Sequence, residues 1–373
     1  MVDFNPPTRE FLDSKGRVVT LGMFIIDHHA AKDENGNEHM TEEESIGGGG
    51  VFAMISARMF LPSTHCGLLV DRGDDFPDSF TETLTNFGED MVWYRPREGK
   101  TTRALNIYSG NKIGEGHQSF KYLSPQLNLL PHDFILPPSP FSKPNLPEWI
   151  HVVCNTERAR LIVNEMQEIK SNGVQNIGKG WNGNLVWEPM PSCCKPSELQ
   201  NILDLAPSFS VISPNLLELQ SILNISPNEN PSKEEAEIAV QSFHQLLLDQ
   251  NDKNDSSIPT IVVRCGELGS YTFSLDWKGW IPPYHGLEDQ DKVKDVTGGG
   301  NSFLGGLCAG LLITQGDMKL ASIYAATAAS FTIEQRGLPN LTYTEKGERW
   351  NNEDPWTRLR ELEAKVNKME LFY

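Results

Sequence analysis

The sequence predicts an α/β protein in which helices flank a parallel sheet. Beyond residue 150, short β-branched runs alternate with helix-length runs: IHVVC, ERARLIVNEMQEIK, NLVWEP, PSELQNILDLA and FSVIS. That is the rhythm of strand–helix–strand units. Two glycine-rich turns, at residues 47–50 and 298–300, each open an apolar run suited to a helix. Hydrophobic residues make up 38% of the 373-residue chain and recur along its whole length, which favours a globular protein over a disordered one.

Each element follows in order. Residues 1–17 read as a polar tail, and 18–26 (VVTLGMFII) as a single strand of buried type. Residues 47–61 enter a helix through a flexible turn. Residues 66–70 form the next strand, followed by a loop with Gly73, Asp74 and Asp75. Residues 92–94 and 104–108 alternate in strand fashion, and the proline-rich stretch 131–147 is a surface connector. After the alternating block a helix starts at Asn215, and 248–258 (LDQNDKNDSSI) is a polar insertion. A strand at 260–264 and a hairpin around 270–280 precede the long helix after residue 300. In the tail, Trp356, Leu359, Leu362 and Val366 stand at helical spacing, the stripe of an amphipathic helix packed on its own domain.

Composition removes several function classes. Fifty acidic residues against 32 basic ones give a formal charge of −18, a surface that repels nucleic acids and anionic membranes. The six cysteines (66, 154, 193, 194, 265, 308) are too scattered for a disulfide framework, and the vicinal pair Cys193–Cys194 lacks the spacing of a zinc or redox motif. The start, MVDFNPPTREFLDSKGR, has no apolar signal core, and the longest apolar run, 304–313, falls short of the roughly 20 residues a membrane span requires. A soluble, cytoplasmic protein is expected.

The chemistry lies in the glycines. Three of them stand before a helix in DVTGGGNSF (295–303). Unpaired N–H groups and the positive end of the helix dipole would make that turn an anion hole. Tight packing against a neighbouring strand selects glycine equally well. Two decoys fail. The GKT at 99–101 would need glycine at 94, where Tyr94 stands. Gly22 is followed by MFIIDHHA, without the further glycines of a dinucleotide fold.

Taken together, these pieces resemble the ribokinase-like (PfkB) carbohydrate kinase family over residues 18–339, and within it the fungal maintenance-of-killer subgroup. The resemblance rests on VVTLGMFIID, Gly48–Gly49, the Gly-x-Asp loop at 73–76 and Thr102–Arg103. It rests further on Asn-x-x-Glu at Asn215 and Glu218, on GELG at 266–269, and on DVTGGGN against the family's Asp-x-Thr-Gly-Ala-Gly-Asp. It implies a doubly wound, mostly parallel sheet with helices on both faces, at 18–340. A small β-sheet lid would come from about 18–130, and 341–373 would form the C-terminal helix. It also implies transfer of the γ-phosphoryl of ATP, with Mg²⁺, to a hydroxymethyl group of a small carbohydrate or nucleoside. Gly298, Gly299 and Gly300 would supply the anion hole, and Asn215 and Glu218 would organise the metal. Arg264, Gly266 and Gly269 would border the nucleotide. Asp27, Gly48 and Gly49 would face the acceptor.

Three departures qualify that expectation. The family's closing Asp, its general base, is Asn301 here. The Asn that helps hold the sugar corresponds to Ala53 or Phe52, and the Thr before the late glycine pair to Arg264. An amide cannot ionise, so a binding or scaffolding role, alone, as a homodimer or with a protein partner, stands beside weak or intact kinase activity. Plainer readings remain at each position. Asn301 is a good N-cap. Asn215 and Glu218 match a capping box. Arg264 suits a salt-bridged strand end. His28 and His29, adjacent on a strand, point to opposite faces and receive no function.

Overall fold

The computed structural model describes residues 4–370 apart from 33–37, 110–117, 143–144, 229 and 252–257. Its strands are β1 (Val18–Thr20), β2 (Ile25–Lys32), β3 (Glu38–Gly47), β4 (Cys66–Arg72), β5 (Val92–Pro96), β6 (Arg103–Ser109), β7 (Gln118–Tyr122), β8 (Trp149–Cys154), β9 (Asn184–Pro189), β10 (Val211–Ile212), β11 (Thr260–Arg264), β12 (Ser270–Phe273) and β13 (Lys278–Ile281), with a hairpin of β14 (Leu341–Thr344) and β15 (Gly347–Trp350). The helices that matter here are α1 (Gly49–Arg58), α2 (Thr156–Asn172), α3 (Leu199–Leu205), α4 (Leu216–Ile222), α5 (Lys233–Asn251), α6 (Gly299–Ile313), α7 (Met318–Thr332) and α8 (Pro355–Glu370).

Nine strands form one sheet in the order β13-β12-β11-β10-β9-β8-β1-β4-β5. It is parallel from β5 to β11, with β12 and β13 antiparallel at one edge. Successive side chains of a strand point to opposite faces, and here both faces are apolar. Val18 joins one core and Val19 the other; Leu68 and Val70 oppose Leu69; Val262 opposes Ile261 and Val263. The first core is closed by α1, α6, α7 and α8 through Met54, Leu304, Tyr324 and Leu359. The second is closed by α2, α3 and α5 through Ile162, Ile202 and Phe243. This is the doubly wound architecture the resemblance implies. Helix α1 crosses α6 at Gly305, where a Cβ would lie 1.8 Å from the Ala53 carbonyl oxygen, so that crossing requires glycine.

A four-stranded sheet, β3-β2-β6-β7, forms the lid. Its strands come from the expected part of the chain, although β1, β4 and β5 from the same part belong to the main sheet. Here the single strand read at 18–26 divides. Residues 18–20 pair in the main sheet, and the chain crosses at 21–24 to begin the lid at Ile25. Gly22 makes the crossing, its Cα face lying against Gly50, where a Cβ would come within 2.7 Å of the backbone nitrogen. Strand β3 escaped sequence reading because EHMTEEESIG is polar, and half-solvated lid strands show no buried run.

Three further expectations change. The stretch 131–147 is no mere surface connector, since Phe134, Ile135 and Phe141 are fully buried. Of the insertion at 248–258, residues through Asn251 continue α5, and 252–257 lie outside the described residues. The tail holds the β14–β15 hairpin before its helix, which buries Leu359, Leu362 and Val366 as the spacing predicted. All six cysteines are free and buried. Among the described residues, no helix is long and apolar enough to cross a membrane.

Candidate functional site

Helix α6 starts at the carboxyl ends of the parallel strands, where open α/β sheets form their crevice. Gly298, left-handed at φ 78°, is its N-cap. Asn301 therefore stands in the first turn and is not the cap that its residue type suggested. Glycine is favoured at 298 twice over: φ is positive, and a Cβ would lie 2.4 Å from the Phe52 ring. The Gly299 N–H bonds the Val296 carbonyl (3.0 Å). Helix geometry leaves the next N–H groups, at Gly300 and Asn301, without an intrahelical partner.

Arg264, at the end of β11, lies against this turn. A Cβ on Gly300 would come within 2.0 Å of its Nη1. The guanidinium reaches Glu188 Oε1 at 2.8 Å and Glu218 Oε2 at 3.7 Å, and donates from Nη2 to the Ser213 carbonyl at 3.0 Å. Glu188 ends β9. Burial pushes its carboxyl up, while Arg264 and His151 together pull it below the ordinary value. His151, fully buried on β8, lies 3.8 Å from Glu188 Oε2 and shares a 2.9 Å hydrogen bond with Thr20 at the end of β1. Four strands thus contribute to one polar chain: Thr20, His151, Glu188, Arg264.

Asn215 and Glu218 form the capping box of α4. The Asn215 side chain accepts from the Glu218 N–H, and Glu218 Oε2 accepts from the Asn215 N–H, both at 2.8 Å. That oxygen also faces Arg264. No group of three or more His, Cys, Asp or Glu among the described residues is placed to hold a metal ion.

A cavity of about 480 Å³ opens beside the turn, lined by Arg264, Gly266, Gly269, Gly299 and Gly300, with Phe303 and Ile333 among its apolar walls. Gly269 (φ 94°) is required where the backbone folds back on β13, since a Cβ would lie 2.1 Å from the Ile281 carbonyl oxygen.

On the other side of the turn stands Asp27, on β2 and 6% exposed. Its carboxylate lies over Gly47, where a Cβ would come within 1.9 Å of Oδ2. Burial pushes the group up to about 7, against a hydrogen bond from Asn106. Its Oδ1 is buried with no hydrogen-bond partner. Gly48 (φ 96°) turns the chain into α1. Gly49 meets Asn301: a Cβ there would lie 2.2 Å from Asn301 Oδ1, which is also buried without a partner. Asp27 and Asn301 thus abut glycines two residues apart, a span of at most about 7 Å. Ala53 is sealed in the α1–α6 crossing and Phe52 packs on Gly298, so neither replaces the sugar-holding Asn.

Sequence reading missed Glu188 and His151. A signal existed for both, an ionisable residue inside each of the apolar runs NLVWEP and IHVVC. The discarded candidates are structural. Arg95 pairs with Asp71 and Asp133, and Thr101 accepts from the Gly73 N–H. His28 and His29 diverge as expected, to Arg103 and to Ser45.

The pfkB family of carbohydrate kinases matches residues 15–344. Protein MAK32 of Saccharomyces cerevisiae is 31% identical over 353 residues, covering 91% of this chain and 90% of that one. The ribokinase of Giardia lamblia shares the fold with TM-score 0.63 at 16% identity, over 95% of this chain and 100% of that chain. The ribokinase of Cryptococcus neoformans, solved with ADP, gives 0.57 at 18%, over 87% and 95%.

Proposed function

Because the chain belongs to the pfkB family of carbohydrate kinases, we propose that it binds ATP in the cavity beside α6 and transfers phosphate weakly or not at all. The role this favours is a binding or scaffolding one. Polyphosphate would meet Arg264 and the Gly300 turn, with Gly266 and Gly269 along the nucleotide. The Mg²⁺ expected to accompany ATP finds its intended residues, Asn215 and Glu218, already engaged with each other. A small carbohydrate or nucleoside would lie between Asp27, Gly48, Gly49 and Asn301.

The observation that carries the reading is Asn301. Its amide oxygen is buried against Gly49, beside the helix start, and cannot take a proton as a carboxylate does. A positioned base contributes ~10²–10⁴-fold, whereas the rest of phosphoryl transfer depends on positioning and electrostatics. Asn301→Asp should therefore raise transfer by up to ~10⁴-fold when assayed beside the wild type against sugars, polyols and nucleosides. Calorimetric titration with ATP tests the binding half. Absence of binding refutes the nucleotide site, and brisk transfer by the wild type refutes the non-catalytic role.

A second reading, an active kinase for a hydroxymethyl group, is favoured by Asp27. It is a carboxyl with an unpartnered oxygen beside the same glycine turn, and an acceptor's hydroxyls could bond it.

A further inference from the structure

We propose that Arg264, held between Glu188 and Glu218, is the cation that meets nucleotide phosphates in the cavity, so that this site binds them without requiring Mg²⁺. The inference rests on the nucleotide reading above and concerns what neutralises the phosphates there.

The geometry has three parts. First, one guanidinium faces two carboxylates, with Nη1 2.8 Å from Glu188 Oε1 and Nη2 3.7 Å from Glu218 Oε2, and the Ser213 carbonyl fixes its orientation at 3.0 Å. A metal held by the same two acids would have to displace it. Second, the guanidinium lies against Gly300, where a Cβ would come within 2.0 Å of Nη1. The arginine thus stands at the positive end of α6, and two sources of positive potential converge on one spot. Third, Arg264, Gly299 and Gly300 line the cavity, whereas Glu188 and Glu218 do not. An anion in the cavity meets the cation, while the acids stand behind and aim it.

The chemistry of the residue suits the role. Arginine stays charged and presents a planar fork that matches phosphate oxygens in pairs. Glu218 Oε2 is engaged twice, by Arg264 at 3.7 Å and by the Asn215 N–H at 2.8 Å. Glu188, 8% exposed, is held below the ordinary carboxyl value because Arg264 and His151 outweigh the effect of burial.

The test is calorimetric titration of the full chain with ADP, once in EDTA and once in excess Mg²⁺. The expected result is a Kd in EDTA within about threefold of that in Mg²⁺, whereas a loss of tenfold or more in EDTA overturns the inference. Arg264→Lys keeps a charge but loses the fork. It should weaken ADP binding in EDTA by about tenfold and recover part of the loss in Mg²⁺. Equal affinity of this variant and the wild type in EDTA also overturns the inference. Should Arg264→Lys fail to fold, the double variant Glu188→Gln/Arg264→Gln removes both charges together, and it should bind ADP only with Mg²⁺ present. Binding by the double variant in EDTA as tight as the wild type's counts against the inference as well. No ADP binding by the wild type under either condition would refute the nucleotide reading itself, and this inference with it. Binding only with Mg²⁺ would refute this inference alone.

Discussion

The first turn of α6 faces two unlike neighbourhoods. On the Arg264 side, buried charges are matched: Glu188 and Arg264 meet at 2.8 Å, and Glu218 closes a capping box. On the Asp27 side, two buried oxygens, Asp27 Oδ1 and Asn301 Oδ1, have no partner. Glycines admit the polar groups in both places, Gly300 beside a guanidinium, Gly47 beside a carboxyl and Gly49 beside an amide. The same residue type therefore serves an ion-paired network on one side and uncharged or unpaired oxygens on the other, although Glu188 Oε2 also lacks a hydrogen bond. A satisfied buried network adds stiffness, whereas an orphaned acceptor costs stability until something donates to it.

The contrast can be broken most directly at Glu188. Glu188→Ala should cost about 3–5 kcal/mol, because it strips Arg264, whose side chain is 10% exposed, of its nearest counter-charge. Denaturant unfolding measures this, and a loss below about 1 kcal/mol would mean that the Arg264 side is no more interdependent than the Asp27 side.

Asp27→Asn should act in the opposite direction. The folded protein holds the Asp27 carboxyl near 7 rather than 3.8, so between those values the folded state binds more protons than the unfolded one. Stability is then lost as pH rises through that window, and the penalty is complete above about 7. The variant should match the wild type near pH 4 and exceed it by up to about 4 kcal/mol above pH 7. Thermal melts across that range would show it, and a difference independent of pH would remove the orphaned-carboxyl argument.

The smallest effect separates two acids on the same side. Glu218→Gln keeps an oxygen to accept from the Asn215 N–H and loses only a charge 3.7 Å from Arg264. A loss within about 1 kcal/mol is expected in the same unfolding experiment. A loss as large as that of Glu188→Ala would make the two carboxylates equal partners of Arg264.

Much of this was legible beforehand because its causes are local. The alternation after residue 150 announced the parallel sheet, since a strand buried on both faces is a continuous apolar run. The Asn215–Glu218 spacing announced a capping box, which needs only four consecutive residues. The glycines at 298–300 announced a helix start. The cap itself was misassigned: residue type made Asn301 the natural choice, but the left-handed turn at Gly298 put Asn301 inside the helix.

The sequence by itself determined the family, the doubly wound class and the residue types gathered at the glycine turns, because periodicity and turn chemistry are written in neighbouring residues. Tertiary structure alone decided which of them touch. Arg264 and Gly300 are 36 positions apart, and Gly49 and Asn301 are 252 apart, yet each pair is in contact. No local pattern encodes such distances. The order of strands across the sheet set them, by bringing β1, β8, β9 and β11 beneath one helix start. The same ordering left the carboxylates beside Arg264 paired and the oxygens beside Gly47 and Gly49 alone.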